Sequence, residues 1–486
     1  MYMVLQKSIK KNFMYNTLLK LLNMIFPLIT FPYVARILSA EGVGKVDFSV
    51  SVIQYFILIA QIGIPTYAIR ECAKHRDDRE KLSKTVQEIL VINLLMIVVA
   101  YFIFFITLVS IDKFENYQTL LMIMSINIIS TSIGIEWFYQ AIEEYRYITI
   151  RSLVVKLISL ILVFTFIKQE NDYVLYGLIT VLSVSAGNIF NIVHVNKYIT
   201  LFKRFKNYNF KRHVKPILVL FAMSLSISIY VNLDTVMLGF ISGDHSVGLY
   251  AAANKILKVV LALVTSLGVV LLPRMSYYIQ NNAFLEINKL IKKSLDFILM
   301  ISIPAVVGIF MLAEPIIYLF AGNDYTEAVL TVKVMSPIII AMGLSNLIGI
   351  QVLISHGREK ITLISTIIGA FINFSLNIVL ISQFQQNGAA IGTLIAEVAV
   401  TITQIIFAHS FIKGNINFKN VLSYLIGGIL IILICISVGL LDYGYLLTTL
   451  LSIFLSVIIY IGFLFVIKNE LIYEIINKFV VRLRNE

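Results

Sequence analysis

Charge is what this chain has little of: 14% of its 486 residues are charged, against about a quarter in a soluble domain. With 59% hydrophobic residues and a mean hydropathy of +0.90, a soluble globular fold is excluded and a membrane protein is expected. Cysteine is nearly absent. Cys72 and Cys435 lie far apart and form no C-x-x-C, so neither a disulfide framework nor a thiolate metal site is available. No G-x-x-x-x-G-K-[ST] loop is present to cradle nucleotide phosphates, and there is no H-E-x-x-H or G-x-S-x-G. The six histidines, at 75, 194, 213, 245, 356 and 409, have no metal-ligand spacing. An enzyme, a resident metal and a cofactor are therefore not expected. Transport would draw on an ion gradient, the membrane potential or consumption of the product.

What the chain does have is apolar runs of about 20 residues from end to end, each able to cross a hydrocarbon core of about 30 Å as a helix. Fourteen such blocks begin near residues 12, 43, 87, 117, 149, 173, 214, 247, 294, 329, 361, 388, 421 and 446. The fold class is all-α and polytopic. The first block follows Lys7, Lys10 and Lys11 but exceeds a signal-peptide core and has no small-residue cleavage site, so it reads as a retained helix.

The net charge of +12 raises nucleic acid as a partner, and the positions of the positive charges answer it. With the N-terminus inside, 30 of the 39 Lys and Arg fall in inner segments, five (Arg36, Lys45, Lys113, Lys168, Lys333) in outer ones, and four (Lys20, Lys156, Lys255, Lys258) within spans. That asymmetry is the positive-inside pattern, and an even number of spans puts both termini in the cytoplasm. The clusters "RECAKHRDDREKLSK" (70–84) and "KRFKNYNFKRHVK" (203–215) then serve as topology signals that also touch anionic membrane lipid. Nucleic acid is not an expected partner.

The chain also repeats itself. "VGKVDFSVSVIQ" from Val43 is echoed by "VGLYAAANKILK" from Val247, an offset of 204 shared by Arg70 and Arg274. "YITI" (147–150) matches "KITL" (360–363) at 213, and Gly177 with His194 matches Gly392 with His409 at 215. Six spans separate the partners, so both copies enter the membrane in the same direction. This is a parallel repeat about an axis along the membrane normal, with a substrate path expected between its halves. The expected domains are a six-helix lobe over 1–200, a basic cytoplasmic linker over 201–215, a second six-helix lobe over 216–413, and two further helices with a tail over 414–486.

Charges within spans are the candidate site, because each costs roughly 2.5–3.5 kcal/mol at a helix centre and faces a cavity or a partner. Lys255 and Lys258 lie about 12 and 16 Å into the eighth span and share a face; Asp234, in the seventh, lies at a depth to meet Lys255. At the 204 offset these three fall on Ser51, Gln54 and Thr30, so the scaffold is duplicated but the charges are not. A cationic cavity for an anionic ligand is the expectation. The alternative is an Asp234–Lys255 pair with Lys258 snorkelling to a polar surface. Lys20 is expected at the inner mouth of the same cavity, and Lys156 is read as a snorkelling side chain near the inner end of span five. Glu397, near the midplane of span twelve, is with Asp234 a candidate for coupling to H+ or Na+. Arg36 is expected with Lys45 and Asp47 in an outer ion network or gate, and Arg70 and Arg274 as anchors at the inner entrance. Pro27 and Pro32 are expected to kink the first span.

Four stretches carry a family resemblance: "PYVARILSAEGVGKVDFSVSVI" (32–53), "GIEWFYQAIEEYRYITIRS" (134–152), "DTVMLGFISGDHSVGLYAAANKI" (234–256) and "NGAAIGTLIAE" (387–397). They resemble the Wzx-type polysaccharide flippases, whose superfamily also holds multidrug extruders and lipid II flippases. The resemblance runs through at least the first twelve spans. It implies two six-helix lobes about a central cavity, alternating access, and transfer of an oligosaccharide repeat unit on an undecaprenyl diphosphate carrier from the inner to the outer leaflet of the bacterial cytoplasmic membrane. Polymerase or glycosyltransferase partners come with that role. Glu136, Trp137, Gln140 and Glu143 take the family's pattern, with Trp137 and Tyr139 expected in an aromatic belt. A cation-coupled drug exporter of the same fold should favour acidic and aromatic residues, which the three lysines argue against. A peptidoglycan-precursor carrier and a non-transporting scaffold for glycan assembly are the remaining alternatives.

Overall fold

The computed structural model describes residues 9–473 apart from 267 and 416, and those residues form helices joined by short loops, with no strand among them. In order the helices are α1 (Ile9–Gln61), α2 (Ile64–Ala73), α3 (Arg79–Ser110), α4 (Gln118–Ile133), α5 (Glu136–Ala141), α6 (Tyr145–Phe166), α7 (Tyr173–His194), α8 (Lys211–Ile241) and α9 (Asp244–Thr265). They continue with α10 (Gly268–Gln280), α11 (Phe284–Met311), α12 (Ala313–Ala321), α13 (Ala328–Met335), α14 (Ile338–Ser345), a π-helical stretch Asn346–Ile354, α15 (Glu359–Ile412), α16 (Phe418–Gly439) and α17 (Gly444–Val466).

Eleven segments among the described residues are long and apolar enough to cross a membrane. Their packing is that of a membrane protein. In α3 the buried stripe includes Glu88, Asn93, Ala100 and Phe104, while Leu95, Val98, Phe102 and Val109 are exposed, Val109 by 85%. Apolar surface on this scale has its solvent in lipid, and polar side chains turn inward where a partner awaits; Asn93 Nδ2 donates to the Ala60 carbonyl at 2.6 Å.

Two of the eleven segments are interrupted. Within α1 the backbone leaves helical geometry at Ser39 (φ 59°, ψ 179°), while Pro27 and Pro32 lie inside the helix. The break therefore falls past the prolines expected to make it, at a serine whose hydroxyl donates to Glu170 Oε1 at 2.8 Å. Within α15 the break is Gln385 (φ 50°, ψ −128°).

The helices pack into two compact units that divide between Gly248 and Leu249, in the second turn of α9. In the first, α1 packs against α3, α4, α6 and α8. Thus α8, which the repeat assigns to the second lobe, lies on α1, and the first turn of α9 follows it. A Cβ on Gly248 would stand 1.9 Å from the Ala40 carbonyl oxygen, so backbone touches backbone there.

The basic linker before α8 is stapled to the start of α3. Gln87 Nε2 donates to the carbonyls of Thr200, Leu201 and Lys203 at 2.8–3.0 Å. Buried Glu88 accepts from the Asn209 amide at 2.8 Å and from Arg212 at 2.7 Å, and lies 2.9 Å from His213 Nε2. Tyr67 closes the group at 2.7 Å from His213 Nδ1.

In the second unit α11 packs against α14 and α16, and α16 against α17. Met300, Ile303, Tyr424, Ile431 and Tyr460 form the core there, and Tyr460 donates to the Met300 carbonyl at 2.8 Å. The last two helices, without a counterpart in the repeat, are thus seated on α11.

Candidate functional site

Two helix breaks in the first unit face a common space. The first follows α1, where Ile62 (φ 39°) and Gly63 (φ 75°) are left-handed before α2 resumes through Pro65. The second follows α4, where Ile135 (φ 39°) separates Gly134 from α5. A β-branched residue in this region is strained, and such strain persists only where the surroundings hold it. Non-helical backbone at membrane depth requires partners within the protein. Asn191 Nδ2 supplies one, donating to the Gly134 carbonyl at 2.7 Å.

Between these breaks, α6 and α7 complete a cavity of about 360 Å³. Glu136, at the start of α5, accepts from Arg151 of α6 at 2.8 Å. The guanidinium, only 9% exposed, also donates to the Gly187 carbonyl at 3.1 Å and lies against Gly187, where a Cβ would meet its Nε at 3.2 Å. Gln140 is 3.5 Å from Glu136 Oε1. Lys156 Nζ stands 4.9 Å from the ring centre of Phe26. Ser152, Lys156 and Asn188 line the cavity, and none of them hydrogen-bonds or ion-pairs with another described residue. Asn188 is 7% exposed.

The structure gives the stretch "EWFYQAIEEY" concrete roles. Glu136 and Gln140 line the cavity. Trp137 and Tyr139, 5% and 0% exposed, belong to the packed core rather than to an aromatic belt; Tyr139 donates to the Asn191 carbonyl at 2.7 Å. Glu143 ties Asn12 and Arg76 to this end of the unit at 3.1 and 2.8 Å, and Glu144 accepts from Tyr198 at 2.8 Å.

Of the charges within spans, this cavity gathers Lys156, which the sequence reading left to snorkelling, and none of Lys20, Asp234, Lys255, Lys258 or Glu397. Asp234 is buried in α8, Lys255 is half-buried and Lys258 exposed on α9, and each of the three has a partner. Lys20 is exposed on α1, Glu397 buried in α15. Arg36 is exposed and donates to the Pro32 carbonyl at 2.6 Å, while neighbouring Lys45 pairs with Glu41 at 2.8 Å. Arg70 on α2 and Arg274 on α10 are exposed. Arg151 and Asn188 give no sign in the sequence of lining this cavity: the arginine falls among the inner-segment positives, and an asparagine carries no charge.

A second polar cluster, in the second unit, contains a chain of neutral side chains. The halves of α15 on either side of Gln385 share a relay in which Asn377 Nδ2 donates to Asn373 Oδ1 (3.2 Å), Asn373 Nδ2 to Thr393 Oγ1 (3.3 Å), and Thr393 Oγ1 to the Ala389 carbonyl (3.0 Å). Tyr250 reaches Thr393 at 3.4 Å.

Multiple membrane-crossing helices with breaks around buried polar groups define a transporter class of fold. The family profile described as "Polysaccharide biosynthesis protein" matches residues 9–279, more than half of the chain, and the chain belongs to that family. A second profile, MatE, matches residues 220–379. Among curated proteins, the putative O-antigen transporter of Escherichia coli (strain K12) is 25% identical over 404 residues, covering 83% of this chain and 97% of that protein. Among solved structures, the lipid II flippase MurJ in an inward closed conformation shares the fold with a TM-score of 0.73 at 16% identity, over 94% of this chain and all of that one. An inward-facing multidrug resistance MATE transporter gives a TM-score of 0.59 at 14% identity, over 80% and 94%.

Proposed function

We propose that this protein is a flippase that carries lipid-linked oligosaccharide repeat units from the inner to the outer leaflet of the bacterial cytoplasmic membrane. Membership of the polysaccharide biosynthesis family, with similarity along 97% of an O-antigen transporter, is the observation that carries the reading. A glycan on a diphosphate carrier is the kind of cargo whose passage through a bilayer needs polar groups held inside membrane helices, while its prenyl tail stays in lipid. The chain is thus a transporter without a chemical step.

In this reading the two interrupted segments each contribute two spans and α8 one more, which makes fourteen, with both termini in the cytoplasm. Two six-helix lobes alternate in access to the two leaflets. Lys20, Lys255 and Lys258, with Asp234, line the cationic path; Arg36, Arg70 and Arg274 stand at its ends. Glu397 and Asp234 are the candidates for coupling to H+ or Na+. Polymerases or glycosyltransferases are the protein partners such a role calls for.

Leaflet-resolved labelling of lipid-linked glycan tests this in cells lacking the protein, complemented with wild type or with Lys255→Gln/Lys258→Gln. The expected result is glycan retained on the inner leaflet without the protein and with the double variant at normal expression. Equal glycan on the outer leaflet in every strain would overturn the reading and favour drug export, to which the MatE match also points.

A further inference from the structure

We propose that the cavity of the first unit is a subsite for one sugar residue bearing a carboxylate. The proposal rests on the flippase reading for the origin of that sugar, but its chemistry follows from the cavity wall alone.

The wall excludes other ligands in turn. Glu136 is the one carboxylate lining the cavity, and Arg151 holds it at 2.8 Å; a metal cation would have to displace a guanidinium to gain a single ligand. Arg151 and Lys156 against Glu136 leave one positive charge in excess. That matches one carboxylate, whereas a diphosphate brings two or more negative charges and is best held by several cations or arginine forks. A prenyl chain is too long for a cavity of about 360 Å³, and Pro65, Ile69, Trp137, Val155 and Val184 give the wall an apolar part that the C–H face of a sugar ring can cover.

The rest of the wall carries amides and hydroxyls. Gln61, Gln140 and Asn188 present planar groups that donate and accept, and Ser152 adds a hydroxyl. Buried polar side chains are almost always hydrogen-bonded, yet buried Asn188 makes no such bond to the described residues, and neither do half-buried Ser152 and Lys156, which line the same cavity. Their donors and acceptors suit a ligand dense in hydroxyls, and Lys156 supplies a charge for its acid group. The volume of about 360 Å³ lies at the small end of ligand sites, roughly 300–1,000 Å³. It suits one sugar residue rather than a whole repeat unit.

The chain carries its own reporter, because Trp137 is its single tryptophan and lines the cavity. Full-length protein in lipid nanodiscs is titrated with glucuronate, galacturonate, glucose and inorganic phosphate while tryptophan emission is followed. A saturable change with a uronate is expected, with glucose weaker. Lys156→Gln should weaken uronate binding about tenfold, the scale of one charge-assisted hydrogen bond, and weaken glucose binding by less; Lys156→Arg should retain uronate binding. Ser152→Leu, which fills the cavity, should abolish both responses at an unchanged melting temperature, and it carries the test should Lys156→Gln fail to fold. No saturation by any of the sugars up to about 100 mM, far above a millimolar site, overturns the proposal. So does phosphate acting as well as uronate, or equal uronate affinity in folded Lys156→Gln. Uronate binding with no flipping in the leaflet assay would sink the flippase reading and keep the subsite; flipping without uronate binding would do the reverse.

Discussion

Around Gly134 the first unit packs an asparagine and an ion pair into a helix crossing, and around Gly349 the second packs amides and the hydroxyls of Thr362 and Ser365. The two glycines are 215 residues apart, the offset already shared by Gly177 and Gly392. A Cβ on Gly134 would fall 2.4 Å from the Asn188 side chain, and one on Gly349 would fall 2.8 Å from Gln404 Nε2. Two residues on, Glu136 in the first unit becomes buried Gln351 in the second. The buried stripe Val155, Ser159, Val163 of α6 has a counterpart in Gly369, Asn373, Asn377 of α15, and Arg151 and Ser365 each stand one turn before their stripe. There Gln404 Nε2 donates to Ser365 Oγ at 3.1 Å. One packing solution thus exists in a charged and a neutral version. The neutral one shows that the crossing itself does not need an ion pair, so the pair in the first unit is free to serve the cavity it lines.

The comparison can be broken most forcefully from the neutral side. Gln351→Glu places a carboxylate with 2% exposure where no arginine answers it, an expected loss of about 3–5 kcal/mol seen as a lower melting temperature in detergent. Adding Ser365→Arg should restore part of it. From the charged side, Arg151→Ser strands Glu136, whose side chain is 39% exposed, so the loss should be smaller, about 2–3 kcal/mol. Glu136→Gln/Arg151→Ser copies the second unit's chemistry and should regain most of that stability while glycan transfer stays low; a double variant that transfers glycan normally would reduce the pair to a structural role. The smallest effect is steric. Gly134→Ala should cost about 1–2 kcal/mol and more than Gly349→Ala, in the order of the two Cβ distances; the reverse order in thermal melts would show that the crossings are not equivalent.

Much of this architecture was legible before any coordinates. Long apolar runs and the distribution of Lys and Arg announce a polytopic membrane protein, and four short stretches announce the family. The cavity was hidden for physical reasons. Its walls depend on left-handed Ile62 and Ile135, and β-branched residues give no sign that the chain will turn there. Arg151 stands six residues into α6 and reads as a loop charge, although a 9%-exposed side chain is a different object. Amides such as Asn188, Asn373 and Asn377 blend into polar background, because hydropathy weighs a residue without knowing whether a partner faces it. Pro27 and Pro32 misled in the other direction, since a membrane helix can absorb proline when neighbours satisfy the freed carbonyls.

Glu88 sets a schedule for the growing chain. Its partner Asn209 is 121 residues downstream, and a ribosome adding about 5–20 residues per second needs about 6–25 s to reach it. For that interval α3 is a hydrophobic helix with a bare carboxylate three turns from its start. Burying that charge deeper would cost roughly 2.5–3.5 kcal/mol, so the unpaired glutamate holds its end of α3 at the membrane surface. When the linker arrives, Asn209, Arg212 and His213 cap it, and a brake on sliding becomes a staple.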